Sequence, residues 1–493
     1  MQRFDFDVAI LGGGSAGYAA ARTVAGDGLK TVVIEGGEEI GGLCILRGCM
    51  PTKALLYTAE VAHLVKNSAL FGTRAGNVSF NFKKAMTRKD ALIKEFADYR
   101  AQQLQGGKFK FIRANAKFLD AHTVELIPFC CRGRKPAHSK NQSRLTSAAT
   151  ITAKNFVIAT GSKIAPSPLC QLNDLDCLTS DTALALKKLP RSLIVLGGGP
   201  TACEFAQFFA RFGVKVTLIQ RSVHILHDFD FDAAAVVETV FRREKIEMFT
   251  GTKLLDAKRR GKLKAVSFEH RGEIKTVSAE EILFALGRIP NTASLDLPNV
   301  GVRTDANGRI IASEFMQTSA PHVFTAGDCT GPYEIVHIAV QQGEIAGRNI
   351  IANSKGASRG RLPHQTDYRV LIAVVFTEPQ LAFVGLTEKE ANRRGIKFIS
   401  ASYPFNDHGK SLIMNAMDGF VKLLANPVTG EIIGGECVGP LGGELIHEIA
   451  AAMAKRMTVQ ELAAMPHYHP TLAEIWTYPA EELAEKISSR FRQ

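Results

Sequence analysis

Two glycine-rich turns, each set between apolar runs, and a change of composition after about residue 361 predict an α/β chain. The turns read G-x-G-x-x-G and G-x-G-x-x-A, the phosphate-binding pattern of doubly wound dinucleotide-binding units. Two Rossmann-like units followed by a C-terminal α+β domain are therefore expected. A chain of 493 residues is long enough for several domains.

The first unit is built in order. DVAIL, Asp7–Leu11, is a short apolar strand, and Gly12, Gly14 and Gly17 form the turn. A helix is expected from Tyr18 to about Gly26, and TVVIE ends a second strand at Glu35. The glycines allow a tight turn, close backbone approach to a pyrophosphate and helix packing. The helix N-terminus offers unpaired N–H groups to an anion. Glu35 falls 21 residues after Gly14, near the spacing of an acid that bonds a ribose hydroxyl.

The pattern recurs over Ser192–Arg221, where Gly197, Gly199 and Ala202 lie between two apolar runs. One copy alone could be a βαβ unit without a ligand; two complete copies argue for two bound dinucleotides. Between them, KNFVIATGSK places Thr160 and Gly161 at a strand end. Further on, HVFTAGDCTG places Gly327 and Asp328 at another, where an Asp suits a ligand hydroxyl. Taken singly, either would be read as an ordinary turn. Beyond Arg361, the run VLIAVVF, a hairpin around Asn426–Gly430 and the helical ELIHEIAAAMAK mark the α+β domain.

The composition, 46% hydrophobic and 22% charged, is that of a globular protein. No run approaches the roughly 18 apolar residues of a membrane helix. Asp5 and Asp7 interrupt any secretory leader, so a cytoplasmic enzyme is expected, or an organellar one without its transit segment. The net charge of +12 owes much to residues 128–150, which hold five Lys/Arg and no acid. Without aromatic interleaving or a docking motif, that stretch reads as a solvated insertion rather than a nucleic-acid site. Cys130 and Cys131 within it receive no role.

Nine scattered cysteines do not suggest a disulfide framework. Cys44 and Cys49, in GGLCILRGCMPTK, are nonetheless a close pair among glycines. In an ideal helix they would be separated by about 7.5 Å along the axis, whereas a disulfide needs Cα atoms about 4.4–6.8 Å apart. A bonded pair thus requires a loop entering a helix or a distorted first turn, which Gly41, Gly42 and Gly48 permit. A helix N-terminus would favour the thiolate. No second pair completes a zinc site, so no metal is expected. A chance pair of buried thiols is an equal reading of C-x4-C alone.

The C-terminal HPTLAE shifts that balance. Thr471 and Glu474 read as a capping box for the final helix. His469 also suits acid–base exchange with a thiol, with Glu474 fixing its tautomer. His467 is given a structural or surface role.

Together these segments resemble the pyridine nucleotide–disulfide oxidoreductases with a redox-active C-x4-C, over nearly the whole chain. That family includes dihydrolipoamide dehydrogenase, glutathione reductase and mercuric reductase. The resemblance implies an FAD domain over 1–160 and 289–361, an NAD(P) domain over 161–288 inserted in it, and a dimerisation domain over 362–493. It implies that Cys49 exchanges electrons with the flavin, that Cys44 attacks substrate sulfur, and that His469 of one protomer of a homodimer serves the other's thiols. Lys53, in P-T-K, and Glu204, in ACEFA, match the family's ion pair near the flavin; a surface charge is the plainer reading of each.

NAD-preferring members carry an acid at the end of the second strand of their nucleotide unit; here Gln220 and Arg221 follow VTLI. Arg221 suits a 2′-phosphate, so NADPH is expected ahead of NADH, with His224 and His227 nearby. Mercuric reductase resembles this chain at Gln220–Arg221–Ser222, yet it carries a C-terminal Cys pair and lacks the acid–base His. This chain ends KISSRFRQ and has His469. A small dithiol or disulfide is expected, a lipoyl group first. NADPH use departs from that branch, as do Leu43 in place of Thr and the stretch Ile45–Arg47. A nucleotide-binding sensor with idle thiols, and a flavin oxidase or quinone reductase that does not use them, are the competing readings. No nucleic acid or membrane partner is expected.

Overall fold

The computed structural model describes residues 3–76, 79–128, 149–356 and 362–490. The basic stretch lies outside them from 129 to 148, with Cys130 and Cys131. The chain divides into two compact units. One comprises Met1–Thr52, Thr87–Ala165 and Gly287–Thr366; the other comprises Lys53–Met86, Pro166–Leu286 and Asp367–Gln493.

In the first unit, the strand Phe6–Leu11 is central. It pairs in parallel with Thr31–Glu35 on one side and Ala149–Ile158 on the other. Lys110–Phe118 and Val323–Thr325 extend the sheet, also in parallel. Thr123–Pro128 runs antiparallel to both Lys110–Phe118 and Ala149–Ile158. Near-continuous apolar runs are what strands covered on both faces need. Phe6, Ala9 and Leu11 enter one core with Phe118 and Phe156. Val8 and Ile10 enter the opposite one with Leu104 and Phe324. The helices Ser15–Gly26 and Val336–Ser354 cross closely because Gly343 has no side chain; a Cβ there would lie 2.2 Å from the Ala16 carbonyl oxygen.

The second unit repeats the arrangement. Its parallel sheet runs Glu247–Phe249, Lys215–Ile219, Ser192–Leu196, Glu281–Phe284 and Leu178–Thr179. A three-stranded antiparallel meander spans Thr252–Ala279. The same unit carries the C-terminal antiparallel sheet, ordered Ile372–Val375, Gln380–Gly385, Ile432–Gly439, Phe420–Ala425 and Ile399–Pro404. The helix Gly442–Ala454 packs on it, and Trp476, Ile475 and Leu483 fill the core beneath. This is the expected α/β chain with two Rossmann-like units and an α+β C-terminal domain. Among the described residues, no helix is long and apolar enough to cross a membrane.

Candidate active site

The first glycine turn is shaped by backbone contact. Gly12 has φ 107°, and a Cβ there would lie 2.3 Å from the Ala159 carbonyl oxygen. A Cβ at Gly17 would lie 1.8 Å from Gly12 O, so the helix can press onto the turn only with glycine at both. Gly14 faces open space; the nearest atom to a Cβ there is 3.9 Å away. The helix it opens has neither a side-chain cap nor an acid in its first turn, which leaves N–H groups and a positive dipole end for an anion. Glu35 takes the Gly13 N–H on Oε2 and the Gly37 N–H on Oε1, each at 2.7 Å. The turn thereby holds the carboxylate at the strand end.

The other strand ends converge in the same unit. Among the described residues, the buried Thr160 hydroxyl has no hydrogen-bond partner. Asp328 Oδ2 accepts from Ser162 Oγ at 2.7 Å, and Ser162 Oγ accepts from Arg288 Nε at 2.9 Å. Gly327 takes φ 82° and donates its N–H to Gln342 Oε1 at 2.7 Å. An orphaned hydroxyl, an oriented carboxylate and an open uncapped helix end fit the ribose, pyrophosphate and ribityl groups of a dinucleotide. Ser162, Arg288 and Gln342 are additions that no sequence pattern marks.

Cys44 lies in the short helix Gly42–Arg47, and Cys49 opens the helix Cys49–Asn67. The break between them is Gly48, at φ −122° and ψ −119°. A Cβ at Gly48 would lie 3.0 Å from Leu43 O and 3.1 Å from Cys44 Cα, so the chain folds back onto the first cysteine. The helix is thus broken between the two cysteines. A Cβ at Gly42 (φ 75°) would lie 2.8 Å from Gly14 Cα. The thiol segment therefore starts directly on the phosphate turn.

Lys53 follows one helical turn after Cys49. Its Nζ donates to both Glu204 oxygens at 2.9 Å and lies 4.6 Å from the Phe376 ring centroid. Glu204, from the helix Pro200–Arg211, also accepts the Phe376 N–H at 3.0 Å. The carboxylate side chain is 4% exposed, so its charge is met by partners rather than water. Phe376 was not foreseen, because its contribution is a backbone N–H and a ring face.

The second glycine turn copies the first. Gly197 has φ 115°, and a Cβ there would lie 2.3 Å from Ala285 O. Gly199 opens on empty space at an uncapped helix, and Ala202 is fully buried. The registers superpose. Leu11 pairs with Ile34 and the Gly12 N–H bonds Ile34 O, while Leu196 pairs with Ile219 and the Gly197 N–H bonds Ile219 O. Gln220 thus occupies the place of Glu35. Its buried amide lies against Gly198 and accepts the Arg221 N–H at 3.0 Å. Arg221 is exposed. His224 faces Glu238 at 3.5 Å and His227 faces Asp228 at 3.2 Å.

At the C-terminus, His469 Nδ1 lies 3.0 Å from Glu474 Oε2. The imidazole is 78% exposed, whereas Glu474 is buried. Burial follows from its neighbours: Ile475 and Trp476 are fully inside, and Trp476 Nε1 bonds Leu445 O. Thr471 accepts the Glu474 N–H at 3.3 Å. That bond falls within the 3₁₀ turn Ala473–Trp476, whose N-cap is Leu472 and which has no side-chain cap, and not at the final helix, which starts at Thr477. The Glu474 side chain turns to His469 instead of closing a capping box. A residue not foreseen, buried His408, brings Nε2 to 3.4 Å from Glu474 Oε1 and Nδ1 to 2.8 Å from Ser411 Oγ. Burial pushes His408 below the usual imidazole range, against the pull of Glu474. His467 is structural: its Nε2 lies 2.6 Å from Glu448 Oε1.

Comparison with known proteins agrees with this geometry. Residues 6–343 match the family model for pyridine nucleotide-disulphide oxidoreductases, and 371–480 match that family's dimerisation domain. The chain is 33% identical to dihydrolipoyl dehydrogenase from Geobacillus stearothermophilus, over 96% of this chain and 95% of that one. It is 29% identical to mercuric reductase from Staphylococcus aureus, over 95% of this chain and 81% of that one. The solved structure of LpdA from Mycobacterium tuberculosis superposes with a TM-score of 0.83 at 26% identity, covering 97% of this chain and 99% of that one. The chain belongs to the pyridine nucleotide-disulphide oxidoreductase family, whose members are FAD-dependent and use a nicotinamide nucleotide.

Proposed function

We propose that this chain is a homodimeric, cytoplasmic, NAD(P)H-dependent reductase of a small disulfide, working through a Cys44–Cys49 redox pair. The observation that carries the reading is the fold-back at Gly48, which turns the chain onto Cys44 just before Cys49, in a segment whose Gly42 lies against Gly14. The overall reaction is NAD(P)H + H⁺ + RSSR → NAD(P)⁺ + 2 RSH, and it is reversible for a dithiol such as dihydrolipoamide.

The FAD domain is read as 1–160 and 289–361, the NAD(P) domain as 161–288 and the dimerisation domain as 362–493. Gly12, Gly14, Gly17, Glu35, Thr160, Gly161, Gly327 and Asp328 hold FAD, and Gly197, Gly199, Ala202 and Arg221 hold the nicotinamide nucleotide. Bound FAD supplies a two-electron relay between the nicotinamide and the disulfide. The Cys44 thiolate attacks one substrate sulfur and expels the first thiol, which takes its proton from His469 of the other protomer. Cys49 then attacks the Cys44 sulfur, releases the second thiol and re-forms the internal disulfide. Glu474 fixes the His469 tautomer. Glu204 holds the Lys53 ammonium in a fixed position on the thiol helix, where its charge is available to electron density developing nearby.

Gln220 in the place of Glu35 removes the carboxylate that would repel a 2′-phosphate, and Arg221 follows it, so NADPH is the favoured donor. A lipoyl group is the first substrate candidate, on the similarity to dihydrolipoyl dehydrogenases. The His469–Glu474 dyad favours a disulfide over mercuric ion. Steady-state reduction of lipoamide and glutathione disulfide by Cys44→Ser and Cys49→Ser enzymes tests the reading. Loss of turnover in both, with flavin retained, supports it; undiminished turnover in either refutes it.

A further inference from the structure

We propose that Arg100 is an anion-binding residue of the substrate site, and that the disulfide reduced here carries a carboxylate. The inference rests on the disulfide-reductase reading above. Arg100 lies on the helix Phe82–Gln105, one turn before Leu104. Leu104 is fully buried and would stand 3.3 Å from a Cβ at Gly13, which fastens that end of the helix to the glycine turn. Arg100 is thereby brought to the same end of the unit as Tyr18, on the helix after the turn, and Cys44, on the segment that starts on Gly14. Its guanidinium carbon lies 4.4 Å from the Tyr18 ring centroid.

Stacking fixes the plane of the guanidinium without using its donors. Among the described residues, buried Arg100 Nε and Nη1 have no hydrogen-bond partner. Unmet buried donors on a group that stays protonated call for an acceptor. Burial draws Arg100 below the usual guanidinium range, opposed first by Tyr18 and then by Cys44, with Arg22 acting the other way. None of these groups is a carboxylate, and Arg22 is itself paired with Glu344. A half-buried cation with two unmet donors matches a substrate that brings its own carboxylate.

The test uses the holoenzyme and two matched substrate pairs, lipoate against lipoamide and glutathione disulfide against its tetraethyl ester. Wild-type kcat/KM is expected to favour the carboxylate member by about tenfold or more. Arg100→Gln should bring that ratio near one through KM of the acid. Arg100→Lys should keep part of it. Flavin content, and the thiols released by reduced nicotinamide, should stay unchanged in both variants. A wild-type ratio of one, an equal loss on acid and neutral members, or loss of flavin from Arg100→Gln would each overturn the inference. Wild-type enzyme that releases no thiols on reduction would instead sink the underlying reading, and the inference with it.

Discussion

His469 Nδ1 lies 3.0 Å from Glu474 Oε2, with the imidazole open and the carboxylate inside the C-terminal domain. The buried carboxylate holds one nitrogen of the exposed ring, and the proposed proton exchange with a thiol falls to the other. Glu474→Gln should lower disulfide turnover about 10–100-fold. Reduction of the internal disulfide by NADPH should be nearly unaffected. Rapid-mixing measurement of the two half-reactions separates these effects; equal slowing of both would contradict the assignment.

His408 supports the same carboxylate from behind. His408→Leu removes the ring between Ser411 and Glu474. The expected result is a smaller loss, about tenfold, again confined to the half-reaction with substrate. A variant with wild-type interchange kinetics would leave His408 a packing residue.

Lys53, Glu204 and the Phe376 N–H form one closed set. Glu204→Ala leaves an ammonium and an N–H without their acceptor, a cost of about 2 kcal/mol or more. Thermal unfolding should therefore begin at lower temperature. Glu204→Gln keeps the acceptor for Phe376 and should recover part of the loss. If the two variants unfold alike, the Phe376 bond contributes nothing measurable.

The proposed preference for NADPH rests on Gln220 and Arg221. Arg221→Ser should raise KM for NADPH about tenfold or more while sparing NADH. Gln220→Glu should shift the preference further toward NADH, by charge repulsion against the 2′-phosphate. Unchanged NADPH kinetics in Arg221→Ser would return this residue to the solvent-exposed loop.

A cluster of carboxylates around buried Lys422 gives a pH signature. Lys422 Nζ lies 2.6 Å from Asp232, 3.4 Å from Asp230 and Glu388, and 3.6 Å from Glu436. Burial, then Asp230, push Glu436 up to about 8, against the pull of Lys422. Its folded-state value lies above the unfolded one. The folded protein therefore binds the extra proton between about pH 4.5 and 8, and stability falls as pH rises through that window. Glu436→Gln should flatten that slope, whose total across the window is on the order of a few kcal/mol at most. Chemical unfolding from pH 5 to 9 measures it, and an unchanged slope would place the titration elsewhere.

What could be read from the sequence divides by range. The glycine turns, their strands and Glu35 are local patterns, and the structure has them where the spacing puts them. The break at Gly48 was likewise implied by the conflict between helix rise and disulfide reach. His408, Phe376, Ser162 and Arg288 were not, because each acts on a residue more than 60 positions away, often through backbone or a second side chain. Arg100 was hidden by ordinary composition: one basic residue on a charged helix carries no signal until the Tyr18 ring lies against it. The capping box at Thr471 was half right, since Glu474 had a stronger partner in His469 than the helix end could offer.

The central claim is that Cys44 and Cys49 form a redox pair driven by reduced nicotinamide. An anaerobic titration with NADPH and NADH, followed by alkylation and peptide mass spectrometry, tests it most directly. Two new alkylated thiols per chain are expected, at Cys44 and Cys49, appearing with one equivalent of nucleotide and at lower NADPH than NADH concentration. Flavin bleaching with neither cysteine newly alkylated would contradict it.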